Sequence, residues 1–199
     1  GAKIAPIINP MPAIPASNLP DDLIASMEFN ELSAYYMLDL NCRGKYSPVY
    51  RKYLEDRDIF PKINDDDMKL MKDNPPDFIA VNYYMNQTIA VSSIKEIALR
   101  GKEVFVSEEV GIYKIAKNEY IPQTDWGWNI CPEGLKIAIM EIYNRYQLPM
   151  LITENGLGAY DKPENGEIHD SYRIDYISRH LSQVKDCISL GFPVFGYSA

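Results

Sequence analysis

Cysteine and histidine are both scarce in this chain, and each shortage argues against a class of protein. Its three cysteines, Cys42, Cys131 and Cys187, form no Cys-x-x-Cys pair, and an odd number cannot all pair within the chain. That argues against a disulfide framework or a zinc site and fits a reducing compartment, so a cytoplasmic location is expected. Two histidines, His169 in a polar loop and His180 on an expected helix, offer no ligand spacing and read as surface or structural residues. No metal and no cofactor are expected. Basic residues are in deficit, 20 Lys and Arg against 28 Asp and Glu, for a formal net charge of −8. Binding to a phosphate backbone needs many cationic contacts, so nucleic acid is a poor partner. No run approaches the roughly 18 to 20 apolar residues of a membrane span, and no basic flank leads an apolar stretch to a cleavage site. Membrane association is not expected, and there are no internal repeats.

What is present is a 199-residue chain with 46% hydrophobic residues, enough for a domain with a sizeable core. Lys3 to Ile8 reads as a strand, and the Pro-rich stretch from Asn9 to Pro20 as a long loop. Pro20, Asp21 and Asp22 suit the first turn of a helix running to about Cys42. Shorter helices are expected near Val49 to Asp56 and Asn64 to Met71, the second capped by Asn64. The aspartates at 65 to 67 read as a solvated first turn rather than a cation site. Asp77 to Tyr84 is a strand buried on both faces, bounded by Pro75 and Pro76. Thr88 to Gln123 shows no clear period and reads as irregular, with a short strand at Val104-Phe105-Val106. Pro132 opens a helix with Leu135, Ile139, Ile142, Tyr143 and Tyr146 on one face, stopped before Pro149. Met150 to Thr153 is a short buried strand. Asp170 is placed to cap a helix with the stripe Ile174, Ile177, Leu181, Val184 and Ile188, and Pro193 to Ser198 forms the last strand. Strands separated by helical crossovers imply parallel βαβ units, hence an α/β fold. The chain opens and closes on bare strands, so it is expected to be a piece of something longer.

In parallel α/β folds, chemistry collects at the carboxyl ends of strands. Two polar clusters stand there: Asn82-Tyr83-Tyr84 and Thr153-Glu154-Asn155-Gly156. A carboxylate following an apolar strand is held rigidly and partly desolvated, as a nucleophile or general base requires. The plainer alternative is that Glu154 caps a turn made by Asn155 and Gly156. Tyr84 is either core packing or a hydroxyl aimed at a neighbouring carboxylate; Asn82, two residues away, shares its side of the strand.

At these residues the chain resembles glycoside hydrolase family 1, the beta-glucosidase and 6-phospho-beta-glucosidase group. The resemblance is carried by Ile152-Thr153-Glu154-Asn155-Gly156, by Asn82-Tyr83-Tyr84 after Asp77-Phe78-Ile79, and by Thr124-Asp125-Trp126-Gly127-Trp128 leading into Pro132-Glu133-Gly134-Leu135. Asp170 to Tyr176 and the terminal Phe195-Gly196-Tyr197-Ser198 add to it, in the family's order along nearly the whole chain. The loop wording around Trp126 is nearest to the 6-phospho-beta-glucosidases. The resemblance implies a (β/α)8 TIM-barrel type fold, with Lys3 to Ile8 as its fifth strand and Phe78 to Tyr84, Met150 to Thr153 and Pro193 to Ser198 as the sixth to eighth. Residues 1–199 then form a single partial domain, the C-terminal half of such a barrel, which when complete needs about 250 residues or more.

The implied chemistry is retaining hydrolysis by two carboxylates about 5 Å apart. Glu154 is the implied nucleophile, Tyr84 its hydrogen-bond partner, and Asn82 a pocket residue. Trp126 and Trp128 are sugar-platform or core-packing residues. The family's acid/base glutamate lies in an Asn-Glu-Pro motif that is absent here; Asn30-Glu31 and Asn118-Glu119 lack the proline. The loop of Ser, Lys and Tyr that receives the 6-phosphate would fall past Ala199. The expectation is therefore a glycosidase parent acting on a disaccharide phosphate or aryl beta-glucoside, with this half-barrel fragment carrying the nucleophile and poorly active alone. Exposed strand edges imply self-association or pairing with the missing half. A non-catalytic sugar-binding or assembly fragment, and a plain beta-glucosidase, are the alternatives.

Overall fold

The computed structural model describes residues 1–92 and 108–198; the strand expected at Val104-Phe105-Val106 lies outside them. The chain divides into two compact units, one of residues 1–12, 76–86 and 119–199, the other of residues 13–75 and 87–118.

In the first unit, four strands form one all-parallel sheet: β1 (Ile7–Ile8), β3 (Ile79–Tyr83), β7 (Met150–Asn155) and β8 (Val194–Tyr197), adjacent in that order. The order follows the sequence, as it does for successive strands of an α/β barrel. The ladder of β1 is two residues long, shorter than the expected run: before it, the carbonyls of Ile4 and Pro6 accept from the Asp77 and Ala80 amides, and the Ile4 amide donates to the Asp77 carboxylate at 2.9 Å. β3 is apolar through Ile79, Ala80 and Val81, all within 2% of complete burial, as the double-sided burial of a parallel strand demands. Helix α5 (Pro132–Tyr146) opens with Pro at its first position and buries Leu135, Ala138, Ile139, Ile142 and Tyr146 on one face. Gly134 in its first turn lies where a Cβ would overlap the Tyr83 hydroxyl, so α5 and β3 approach closely only with glycine there. The hydroxyl donates to the Cys131 carbonyl at 2.6 Å.

Helix α6 (Ser171–Ser189) corrects the expected stripe. Its buried row is Tyr176, His180, Val184 and Cys187, whereas Ile174, Leu181 and Ile188 are 63%, 41% and 52% exposed. Counting aliphatic residues misplaced the face, because the larger buried area comes from a tyrosine and a histidine stacked on each other. Asp170 precedes the helix but makes no side-chain cap; its carboxylate pairs with Arg173 at 3.0 Å, and Arg173 also holds Asp161.

The second unit holds the other corrections. The Pro-rich loop contains a strand, β2 (Ala13–Pro15), parallel to β4 (Gln87–Val91). It is tolerated because β2 is the sheet's edge, so Pro15 leaves no ladder bond unmade on an inner side. The segment read as irregular supplies β4, β5 (Glu108–Glu109) and β6 (Tyr113–Ile115), joined antiparallel; strands of two to five residues are too short to display a period. Helix α1 (Pro20–Asn30) continues through a π-wound turn, Glu31–Tyr35, into α2 (Tyr36–Arg43). Asp22 is buried and accepts from the Val91 amide at 2.9 Å and the Ser17 hydroxyl, tying α1 to β4. Helix α3 (Pro48–Asp56) starts at the Ser47 cap. Helix α4 (Asp65–Asp73) starts at a reciprocal capping box of Asn64 and Asp67, at 2.9 and 3.1 Å.

His180 has no exposed surface, and its Nδ1–H donates to the Tyr176 carbonyl at 2.7 Å. Burial pushes its pKa below the ordinary 6.5, with the bond to Tyr176 opposing only in part. The unfolded chain therefore binds a proton that the fold refuses. Stability from this residue is complete above 6.5 and is lost as pH falls towards the lower folded value. Thermal unfolding midpoints between about pH 7 and pH 5 should thus fall more steeply for the wild type than for His180→Phe. Equal slopes would refute a buried neutral histidine.

Candidate active site

The site is built at the carboxyl ends of β3 and β7. Their ladder runs in phase from Ile79 opposite Met150 to Val81 opposite Ile152, then shifts by one so that Asn82 faces Glu154 and Tyr83 faces Asn155. Thr153 is the extra residue, and its hydroxyl donates to Asn82 Oδ1 at 2.6 Å. Glu154 stands within β7, which runs two residues past the expected end at Thr153, and its carboxylate is open to solvent.

Tyr84 follows β3 directly, and its hydroxyl donates to Glu154 Oε2. That hydrogen bond, with burial adding to it, holds the phenol above its ordinary range, so the proton stays on tyrosine. The edge-on ring of Trp128 lies 5.6 Å from Tyr84, Trp126 lies 5.2 Å from Trp128 at a right angle, and Tyr160 lies 6.4 Å from Trp126. The aromatic array so formed presents a half-exposed indole, Trp126 at 50%. Its loop is fixed by Thr124, whose hydroxyl oxygen accepts from the amides of Trp126 and Trp128 at 3.3 and 3.2 Å. Gly127 supplies the positive φ of 77° that the turn needs. Asp125 reaches across to the Tyr160 amide at 3.1 Å. An adjoining cleft of about 440 Å³ is lined by Asp125, Tyr160, Asp161, His169 and Tyr172 among others.

The structure brings four of the five residues singled out from the sequence into one connected group: Glu154, Tyr84, Trp126 and Trp128. Asn82 joins through its ladder position opposite Glu154 and its bond from Thr153. Tyr160 was missed, since an aromatic in a turn-rich loop carries no local signal. Asn155, Tyr176 and Tyr197 were also missed as site-shaping residues, although each lies in a quoted motif. Among the described residues no group of three or more His, Cys, Asp or Glu is placed to hold a metal ion, and no helix is long and apolar enough to cross a membrane.

Parallel strands in sequence order with intervening helices define an α/β segment that carries a carboxylate and its tyrosine at the strand ends. The chain belongs to glycosyl hydrolase family 1, whose model matches residues 1–199. It is 38% identical over 98% of its length to the aryl-phospho-beta-D-glucosidase BglC of Bacillus subtilis, covering 42% of that relative. It is 35% identical to a 6-phospho-beta-glucosidase of Clostridium longisporum, again over 98% of the chain and 40% of the relative. Among solved structures, the family 1 beta-glucosidase from Thermotoga maritima superposes with a TM-score of 0.82 at 27% identity, over 98% of this chain and 40% of that one. The chain thus spans about two fifths of the length of these relatives, and the (β/α)8 type of the fold, here as a partial barrel, agrees with the expectation.

Gly158 lies against the Trp126 ring, where a Cβ would overlap the indole. Gly158→Ala should therefore push Trp126 away from Trp128 and weaken the near-ultraviolet dichroism of the coupled indoles, with the far-ultraviolet spectrum unchanged. An unaltered near-ultraviolet spectrum would show that the loop yields instead.

Proposed function

We propose that this chain carries the nucleophile side of a retaining beta-glycosidase that acts on 6-phospho-beta-glucosides. The observation that supports it most is the hydrogen bond from Tyr84 to the Glu154 carboxylate at the carboxyl end of two paired parallel strands. A carboxylate aimed by one donor retains a free oxygen for attack. Glu154 attacks the anomeric carbon, the bond to the aglycone oxygen breaks, and the leaving group departs with the electron pair, giving a covalent glycosyl ester. Tyr84 holds the carboxylate through this step, Asn82 lines the pocket, and Trp126 and Trp128 provide the apolar platform for a sugar face.

The phospho-sugar preference rests on the relatives, an aryl-phospho-beta-D-glucosidase and a 6-phospho-beta-glucosidase. Residues 1–199 act in this reading as one part of a barrel domain in a cytoplasmic enzyme, with the apolar row Ile174, Leu181 and Ile188 and the open edges of the parallel sheet available for self-association or for pairing with further barrel strands. Proton donation to the leaving group and activation of the second water need an acid/base carboxylate, and the sequence has no Asn-Glu-Pro motif to supply it. The 199-residue chain should accordingly turn over ordinary glycosides at least about a hundredfold below a complete enzyme.

A 2-fluoro glucoside with a fluoride or dinitrophenolate leaving group needs no protonation, so it isolates the nucleophile. Incubated with its 6-phosphate form, the chain should gain one sugar at Glu154, located by peptide mass spectrometry, and Glu154→Gln should gain none. Sugar binding without labelling would favour a non-catalytic module, and labelling at another carboxylate would remove Glu154 from the role.

A further inference from the structure

Tyr84 sits one residue beyond the end of β3, so the β3–β7 ladder does not hold it. Its carbonyl instead accepts from the Tyr176 hydroxyl at 3.0 Å. The same hydroxyl oxygen accepts from Asn155 Nδ2 at 3.3 Å, and Asn155 directly follows Glu154. Asn155 Nδ2 also donates to the Tyr83 carbonyl at 2.7 Å, and its Oδ1 accepts from the Tyr197 hydroxyl at 2.8 Å. One phenolic oxygen on α6 therefore joins the backbone that carries Tyr84 to the side chain next to Glu154.

We propose that Tyr176 is a positioning residue for the Tyr84–Glu154 pair, setting the direction of the Tyr84 hydroxyl by anchoring its backbone; the catalytic consequence rests on the reading of Glu154 as nucleophile. The anchor is itself rigid. Tyr176 is 2% exposed, and its ring stacks on His180 at 3.9 Å between centroids, with planes 29° apart. His180 Nδ1–H bonds the Tyr176 carbonyl, so both ends of the tyrosine are tied. The hydroxyl has one proton, which goes to Tyr84, and its lone pairs serve Asn155, so neither contact competes with the other. Burial raises the Tyr176 phenol above its ordinary 10.0, and it remains a donor across the working pH range. Displacing a catalytic carboxylate's partner by a fraction of an ångström to 1 Å costs about tenfold to a hundredfold in rate.

Tyr176→Phe removes the oxygen and leaves the stacked ring. Two readouts on the chain separate the clamp from the chemistry. The first is the Tyr84 titration, followed by NMR of isotope-labelled tyrosine and assigned with Tyr84→Phe. It should lie above the ordinary 10.0 in the wild type and fall towards it in Tyr176→Phe. The second is labelling by the 2-fluoro dinitrophenyl glucoside 6-phosphate. Its limiting rate should drop about tenfold or more at unchanged half-saturation, with no further loss when the substitution is made in a Tyr84→Phe background. para-Aminophenylalanine at position 176, which restores a donor, should return both readouts. An unchanged Tyr84 titration in folded Tyr176→Phe, or an equal loss of labelling without Tyr84, overturns the proposal. Should Tyr176→Phe fail to fold, the wild type decides: the Tyr176 hydroxyl proton must exchange slowly with water, and rapid exchange rejects the clamp. A wild-type chain that is never labelled at Glu154 refutes the nucleophile reading alone, and the titration still judges the clamp.

Discussion

The site depends on one feature of strand pairing, the register shift between β3 and β7. Continued in phase from Val81 opposite Ile152, the ladder would set Thr153 against Asn82 and Glu154 against Tyr83. Paired residues on parallel strands point to the same face, and Tyr83 points into the core with no exposed surface. Glu154 would then have shared that buried face, where an unpaired carboxylate costs several kcal/mol. The extra residue, Thr153, moves Glu154 to the side of Asn82 and Tyr84, and its hydroxyl stabilises the shift by bonding Asn82. A bulge next to a reactive group is a common way to re-aim a side chain, and here it decides whether the carboxylate is reachable at all.

A bulged ladder is a weak template, and the geometry is recovered by side chains that bond main-chain carbonyls. Tyr83 reaches the carbonyl of Cys131, Asn155 reaches that of Tyr83, and Tyr176 reaches that of Tyr84. Each such bond contributes about 1 kcal/mol net, but stranding one of these buried groups costs about 1 to 3 kcal/mol, so the network is stiff against the loss of any member. The ion pairs of this unit are of a different kind. Lys3–Asp77 and Arg173–Asp161 are partly solvated and contribute little to stability. Order at the site comes from neutral polar groups in a dry setting rather than from charge.

This explains what could be read from residues alone. The two tryptophans, in a turn, are singled out only by the family resemblance, whereas Glu154, Tyr84 and Asn82 stand out in the sequence because their motifs combine an apolar strand with an abrupt polar end, a pattern set by local sequence. The parallel α/β order was legible for the same reason, in the alternation of strand and helix. The buried face of α6 was not, since Tyr176 and His180 count as polar in an aliphatic stripe; in the fold their rings stack, His180 Nδ1–H bonds the Tyr176 carbonyl, and the Tyr176 hydroxyl bonds the Tyr84 carbonyl. The strands β2, β4, β5 and β6 escaped because two to five residues hold too little period, and a proline in β2 argues against a strand until its edge position is known. The register shift was invisible as well; no residue type marks Thr153 as the extra one.

Tyr84 ends as the point where two kinds of order meet. Its hydroxyl serves the carboxylate, while its ring edge meets Trp128, which in turn supports Trp126 at a right angle. Under the proposed reading, a sugar on the indoles and the Glu154 carboxylate would be referenced to the same side chain, and preorganisation of that sort would lower the entropy cost of attack. It also makes the arrangement sensitive to loops. Thr124 holds both tryptophan amides, and Asp125 holds Tyr160, so a slip in this turn would reach the Tyr84 ring through Trp128 without touching β3 or β7.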